Sequence, residues 1–414
     1  MKRSNWYRLD NTAKIMPSTT TIFNTNVFRL YATMKEEVDK KILQEALDKT
    51  LIEFPMFLYS MKDGLFWHYL EESNYKPIVK EENEAVCGRI DEDFLIRVSY
   101  YKKRINLEVY HVLADGNGAI EFLKYLICTY ISKKYKLDHE EIVNDSSVFE
   151  KAKDDFQTFD KSTFKVDVQK IKKAYKIRAK KKESFHHDVI EIHTSVKEVK
   201  EAAKKRNTKL TIYITALLIK SIIDAARVKD LKRPIGVTIP VDLRNIFPSK
   251  TSRNFFYTIL VSYQSNGENK LEDIIEVVDK QLKEQLEKEN LQKKINGFML
   301  LEKVLIIKVI PNFIKDFALK FFAKYSKLNQ TTVFSNLGLV KVPECYEEYI
   351  DYIGVVSSTE DLHLVSCSFK DKLELAFSSH YDNKEIERNF VKYLKNDIKS
   401  KLTIVSNIGS DQDE

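Results

Sequence analysis

The chain has 414 residues, 43% of them hydrophobic and 31% charged, and a formal net charge of +7. That length suits two or three domains, or one fold of two lobes, with a core large enough to need no covalent staples. The mild positive balance favours anionic ligands such as phosphates or lipid head groups, and the lack of zinc-finger or RNA-binding aromatic signatures argues against nucleic acid as a partner.

The opening MKRSNWYRLDNTAK has basic residues but no apolar run behind them, so it does not read as a secretion signal. Residues 27–32 read as a strand. Val38, Ile42, Leu43, Ala46, Leu47 and Leu51 then recur at helical spacing, and Pro55 closes that helix. Hairpins are expected around Lys62-Asp63-Gly64 and at Lys102-Lys103. On the second strand of the latter, period two places Ile105, Leu107, Val109 and His111 on one apolar face and Tyr110 on the other. An amphipathic helix follows Gly118.

The stretch 145–185 is polar and ends in a basic run, Lys170 to Lys182. It reads as a linker, which divides the chain into an N-terminal lobe (1–150), a basic interlobe linker (151–185) and a C-terminal lobe (186–414). The basic run is a solvated face or a surface for phosphates or anionic lipid. In the second lobe, 188–195 is a strand, and Ser195 with Glu198 forms a capping box. Residues 211–226 form a buried helix, and 235–241 and 255–263 are strands. A long helical region runs over 271–327. Strands return near 331–336, 352–358, 362–369 and 372–379, and a helix spans 385–398. The most apolar stretch, 298–322, is interrupted by Lys303, Lys308, Lys315 and Lys320, so no spanning helix is expected. Its lysines and aromatics suit interlobe packing or, more sharply, a peripheral membrane contact for a lipid or long-chain alcohol.

Cys87, Cys128, Cys345 and Cys367 are scattered, with no C-x-x-C and no zinc-like spacing. They read as buried thiols in a reducing, cytoplasmic setting. His186 and His187 are adjacent and point to opposite faces of a strand, so no metal site is expected. His68 reads as packing, and His363 and His380 as sheet residues or tunnel lining.

Glycine is scarce, 10 in 414, yet two glycines follow His111 and Asp115 in "HVLADGNG". A histidine at a strand end is well placed as a general base, and glycine permits close backbone approach. A strand-end histidine is equally compatible with a core residue. The lack of a third glycine (Glu121 stands there) excludes a dinucleotide fingerprint.

His111-Val-Leu-Ala-Asp115-Gly116 resembles the H-x-x-x-D-G motif of the CoA-dependent acyltransferase superfamily, which includes chloramphenicol acetyltransferase, condensation domains and alcohol acetyltransferases. "KEAAKKRNTKLTIYITALLIKSI", "PVDLRNIFPSKTSRNFF" and "VFSNLG" resemble later segments of the same proteins, nearest the alcohol-acetyltransferase-like members. Tyr110 stands where many relatives have a first histidine, and the plant enzymes' Asp-Phe-Gly-Trp-Gly segment is absent. The resemblance implies an α/β fold with mixed sheets in two chloramphenicol-acetyltransferase-like lobes, with a tunnel between them. It implies acyl-CoA as co-substrate, or an acyl carrier protein as donor, and an alcohol or amine as acceptor. It implies that His111 is the base, that Asp115 is structural and pairs with Arg244, and that no cofactor is bound. Candidate oxyanion donors are Ser335, Asn336 and the Gly116 N–H. A non-catalytic binding module, or a carrier-dependent condensation enzyme, is the alternative; His111, Asp115, Gly116 and Arg244 together favour an enzyme.

Overall fold

The computed structural model describes residues 6–73, 75–90, 93–137, 147–159, 172–184, 186–300 and 310–408. Lys170, Ile171, Lys303 and Lys308 therefore lie outside the described residues. Three sheets organise the rest. The five-stranded sheet runs β12 (Ile350–Ser357), β2 (Val27–Met34), β7 (Arg104–Tyr110), β6 (Ile96–Tyr101) and β5 (Lys80–Glu81). The seven-stranded sheet runs β10 (Phe256–Tyr263), β9 (Ile235–Asp242), β11 (Thr332–Leu339), β13 (Leu362–Phe369), β14 (Lys372–Ser379), β8 (Asp188–Ser195) and β15 (Thr403–Ser406). A three-stranded sheet joins β1 (Trp6–Arg8), β4 (His68–Glu72) and β3 (Tyr59–Asp63).

Alternation decides which way each sheet faces. On β2 and β7, Phe28, Leu30, Ala32, Ile105, Leu107 and Val109 form one buried apolar face. The helices Lys40–Glu53 and Gly116–Tyr135 join the same core. On the other face of the same strands stand Arg29, Tyr31, Asn106 and Glu108, all buried. In the larger sheet, Leu364, Leu373, Leu375 and Phe377 pack with the helix Leu210–Ala225, whereas Val365, Cys367 and Ala376 belong to the first lobe's core. The two sheets therefore meet face to face through side chains of both kinds. Arg104 donates to both oxygens of Glu191 at 2.8 and 2.9 Å, and Tyr31 donates to Glu374 at 2.5 Å.

The lobes are not consecutive in sequence. Residues 350–357, assigned to the C-terminal lobe by their position after the linker, pair antiparallel with β2 in the first lobe's sheet. A boundary drawn at the linker cannot detect a strand that returns across it. The basic run also differs from a solvated linker. Ala174 and Tyr175 are buried and bond to the backbone at Leu328 and Pro234. Lys181 and Lys182 are paired with Asp361 and Asp188. Ser195 caps its helix through Glu198 N, but the Glu198 carboxylate accepts from Lys399 and Ser400 N–H, so the capping box is half made. Cys345 is exposed, while the other three thiols are buried.

β12, the edge strand of the five-stranded sheet, packs closely against Glu374 of the larger sheet because Gly354 lets it. A Cβ there would stand 1.9 Å from Glu374 Oε2 and 2.2 Å from the Tyr31 ring, both fully buried. Gly354→Ala is expected to destabilise the protein by about 1–3 kcal/mol through overpacking. Urea unfolding with an unchanged slope would measure it; a midpoint equal to that of the parent would show that the seam has slack.

Candidate active site

His111 follows the last residue of β7 and opens a turn, with its backbone N–H donating to Asn26 at 2.9 Å. Its ring packs against Phe28 at 5.0 Å and Phe256 at 5.5 Å, one aromatic from each lobe. Nδ1 lies 3.0 Å from Asn254 Oδ1. The amide nitrogen of Asn254 donates to the His111 carbonyl at 3.0 Å and to Asp10 Oδ2 at 3.1 Å. Both of those partners are acceptors, so the amide oxygen must be the end that faces the imidazole. Nδ1 then carries the proton, and Nε2 presents a lone pair. Burial lowers the His111 pKa below its ordinary value, against the opposing charge of Asp115 and the Asn254 bond. The ring is therefore neutral at pH 7.

Asp10 is fully buried and accepts from Ala13 N at 2.8 Å. Burial pushes its pKa up to about 6, although Arg253 and the hydrogen bonds from Ala13 and Asn254 pull it down. Asp10–Asn254–His111 is thus a chain of three groups from remote parts of the sequence. The sequence marks Asn254 only through the resemblance, as the Asn of the Asn-Phe pair that follows Asp-Leu-Arg, without a role attached to it, and Asp10 has no signal beyond being a carboxylate near apolar residues.

Asp115 and Arg244 are in contact. Arg244 Nη1 and Nη2 donate to the two Asp115 oxygens at 2.8 and 3.1 Å. Nη1 also reaches Asp242 at 2.8 Å, Nη2 reaches the Arg253 carbonyl at 2.7 Å, and Nε reaches the Thr251 carbonyl at 3.0 Å. All five guanidinium N–H groups are used. Asp115 in turn caps the helix Gly116–Tyr135 through Gly118 N at 2.8 Å and accepts from Phe255 N at 2.8 Å. The two glycines serve different neighbours. A Cβ on Gly118 would stand 1.9 Å from the Ser252 carbonyl oxygen, while one on Gly116 would meet only the tip of Leu337 at 2.6 Å. Gly118 therefore allows the helix to close against the backbone at 252.

Ser335 and Asn336 face opposite ways. Phe334 lies in the core of the helix-packed face of the larger sheet, and Asn336 shares that side. Its amide donates to Thr211 Oγ1 at 3.0 Å and accepts from Gly338 N at 2.9 Å. The oxygen and one amide hydrogen thus hold the irregularity of β11 that lies between Asn336 and Leu339, on the helix-packed face. Ser335 alternates with it and shares the face of Leu337, the side chain that meets Gly116.

A cavity of about 280 Å³ lies beside this turn, lined among others by Tyr110, Thr20, Met61, His68 and Arg89. The Tyr110 hydroxyl is 2.8 Å from Thr20 Oγ1. A second cavity of about 360 Å³ shares Ile22, Thr25 and Arg89 with the first and extends to His187 and Ser358. Among the described residues no group of three or more His, Cys, Asp and Glu is placed to hold a metal ion, and no helix is long and apolar enough to cross a membrane. His68 bonds Asp63 and Asn312, and burial lowers the pKa of His363 to about 4 and that of His187 to about 3.

Arg244→Ala would strand a buried carboxylate, since Asp115 is 4% exposed. The expected loss is about 3–5 kcal/mol of stability, read by chemical denaturation. A loss under about 1 kcal/mol would mean that Asp115 finds other donors.

The family model for alcohol acetyltransferase matches residues 142–350, a segment that contains Arg244, Asn254 and Ser335 and begins after His111. No curated protein sequence matches this chain. Among solved structures, the chain is similar to polyketide synthase associated protein 5 from Mycobacterium tuberculosis, at 12% identity and a TM-score of 0.62, covering 94% of this chain and 96% of that one. It is similar to TRI3 trichothecene 15-O-acetyltransferase from Fusarium sporotrichioides, at 11% identity and a TM-score of 0.63, covering 96% of each chain. It is also similar to the starter condensation domain of rhizomide synthetase, solved in complex with C8-CoA, at 11% identity and a TM-score of 0.60, covering 94% of each chain. The likeness shows a mixed α/β fold of the condensation-domain and chloramphenicol-acetyltransferase kind. With the family match spanning half of its length, the chain belongs to the alcohol acetyltransferase family.

Proposed function

We propose that this protein is an O-acyltransferase that moves an acyl group from acyl-CoA to an alcohol by direct attack, with His111 as general base. The observation that carries the reading is the fixed tautomer of His111. Asn254 Oδ1 holds Nδ1–H at 3.0 Å, and Asn254 is itself held by Asp10, so Nε2 is left unprotonated and free to accept. The acceptor O–H gives its proton to Nε2 while its oxygen bonds to the thioester carbonyl carbon. The C–S bond then breaks, and the proton passes from Nε2 to the leaving thiolate, giving an ester and CoA–SH. Charge gathers on the carbonyl oxygen in between. The Gly116 N–H opens a helix, where N–H groups have no intrahelical acceptor, and the Ser335 hydroxyl shares the adjacent face; these are the donors proposed for it. Asp115 and Arg244 are assigned a positioning role only.

The C8-CoA held by the rhizomide synthetase domain supports CoA as the donor form. The sequence has no G-x-S-x-G elbow, and burial raises the pKa values of Cys87, Cys128 and Cys367. Those thiols are poor nucleophiles, which favours a ternary complex over an acyl-enzyme.

His111→Ala is expected to lower acyl transfer about 10²–10⁴-fold with the fold intact by circular dichroism; a folded variant at parental turnover removes His111 as base. Initial-rate plots with both substrates varied should intersect, and parallel lines with an acyl-enzyme detected by mass would overturn direct transfer.

The pH profile has a defined sign. The active imidazole is neutral and its pKa is lowered, so activity should hold through pH 7 and fall only as pH drops below about 6.5. Asn254→Ala removes the acceptor for Nδ1–H. It should reduce kcat more than it raises KM and should move this acid limb; an unmoved limb would make Asn254 merely structural.

A further inference from the structure

The helix Asn312–Ser326 lies across the surface with most of its apolar face uncovered. Phe313, Phe317 and Phe321 are 73%, 76% and 70% exposed, and Ile314, Phe322 and Tyr325 are exposed beside them. Helical spacing places these on one broad arc, and the buried Lys315 and Ala323 mark the opposite side. The arc continues onto a second element. Leu65 and Phe66, at the tip of the β3–β4 hairpin, are exposed too, and the tip is fastened to the helix. Asn312 N donates to the Leu65 carbonyl at 2.9 Å, Lys315 Nζ donates to the Phe66 carbonyl at 2.6 Å, and Lys315 lies 3.5 Å from the centre of the Trp67 ring. Between these parts runs a groove of about 580 Å³ with an almost wholly apolar lining. An apolar surface of this extent on a folded protein marks something that covers it.

The charges say what. Lys320 and Lys324 are exposed, and each follows a phenylalanine of the arc by seven residues, so both lie along its flank. The only acid in the helix, Asp316, is drawn inward to Ser18 Oγ at 2.7 Å and His68 Nε2 at 3.3 Å. No carboxylate of the helix therefore stands on the exposed face. On the helix, aromatic and aliphatic side chains bordered by lysines, without an acid among them, complement a bilayer surface that bears anionic head groups; at the hairpin tip the exposed Asp63 is paired with His68.

The geometry points to this face as a membrane-docking surface, with Phe313, Phe317 and Phe321 entering the acyl-chain boundary of an anionic bilayer and Lys320 and Lys324 meeting its head groups. The position of the face bears on the reaction, and this step rests on the function proposed above. His68 bonds Asn312 of the docking helix and also lines the cavity that holds Tyr110, the residue before His111. Docking by this face would bring that cavity to the bilayer, so the acceptor would be a hydroxyl carried in the membrane, such as a long-chain alcohol.

Flotation of the full chain with phosphatidylcholine vesicles, with and without phosphatidylglycerol, tests the surface. The parent protein should float with both and more strongly with phosphatidylglycerol. Phe317→Ser with Phe321→Ser should weaken binding to both by more than tenfold. Lys320→Gln with Lys324→Gln should weaken binding to the anionic vesicles alone, about fivefold for each lysine. All four side chains are exposed, so thermal unfolding should be unchanged. A parent protein that does not float, or a Phe317→Ser/Phe321→Ser variant that floats as well as the parent, would overturn the proposal. So would a dimer in solution that the same variant disperses, since the face would then join two copies. Acyl transfer to a vesicle-borne long-chain alcohol should fall in the Phe317→Ser/Phe321→Ser variant while transfer to a short soluble alcohol does not. A parent that floats but acylates neither alcohol would refute the function proposed above and leave the docking surface standing.

Discussion

The five hydrogen bonds of the Arg244 guanidinium are the constraint on which the rest of the site depends. Two of them go to Asp115, which caps the helix after His111, and two go to carbonyls at 251 and 253. Asp115 closes the circle by accepting from Phe255 N. The backbone on either side of Asn254 is thus held from above and below, and Asn254 is the residue that orients His111. Burying such a pair is costly, and an apolar substitute could be equally stable. A hydrophobic pair could not, however, direct carbonyls and amides to fixed points. The ion pair contributes position, and its full satisfaction keeps the cost of burial within bounds.

The meeting of the two sheets follows the same logic. A face built only of leucine and valine would fuse the lobes as a continuous core. Here the facing residues include Arg104, Glu191, Tyr31 and Glu374, each committed to a partner across the seam. Burial raises Glu374 well above the usual carboxylate range, and the charge of Glu191 adds to that. Burial would raise Glu191 as well, but hydrogen bonds from His193 and Arg104 outweigh it and hold the group down to about 2. Two neighbouring acids are therefore pushed in opposite directions, because the Arg104 guanidinium donates directly to Glu191 and not to Glu374. The arrangement specifies a single register between the sheets, which an apolar interface alone would leave looser.

Much of this could be read from the chain. The hairpins at Gly64 and Lys102, the helix after Gly118 and the strands of the second lobe follow from local period and turn chemistry, which need only neighbouring residues. The face of His111 also followed from period two, as its contact with Phe28 shows. What could not be read was anything set by long-range pairing. β12 looks like any other strand of the second lobe, and only its antiparallel register with β2 reveals that it belongs to the first sheet. The basic run at 170–182 looks solvated because lysines are usually exposed; Tyr175, buried in the second lobe's core, holds its described part against that lobe. The resemblance of "VFSNLG" offers Ser335 and Asn336 together, but adjacent residues on a strand face opposite ways, and the bonds of Asn336 to Thr211 and Gly338 lie on the helix-packed side.

The orientation of the His111 ring is also a long-range property. His111 stands 143 residues from Asn254, and Asn254 stands 244 from Asp10. Asp10 belongs to the N-terminal segment, His111 to the end of β7, and Asn254 to the loop that precedes β10. None of the three can fix the tautomer alone. Without Asn254, either ring nitrogen could carry the proton; without Asp10, the Asn254 amide nitrogen would keep only the His111 carbonyl as acceptor. Because Asn254 enters from the second lobe, Nδ1–H is held and Nε2 left unprotonated only when both lobes are folded and docked. The fixed His111 ring is thereby a property of the assembled seam, and a separated first lobe would carry the H-x-x-x-D-G residues without the Asn254 contact that orients it.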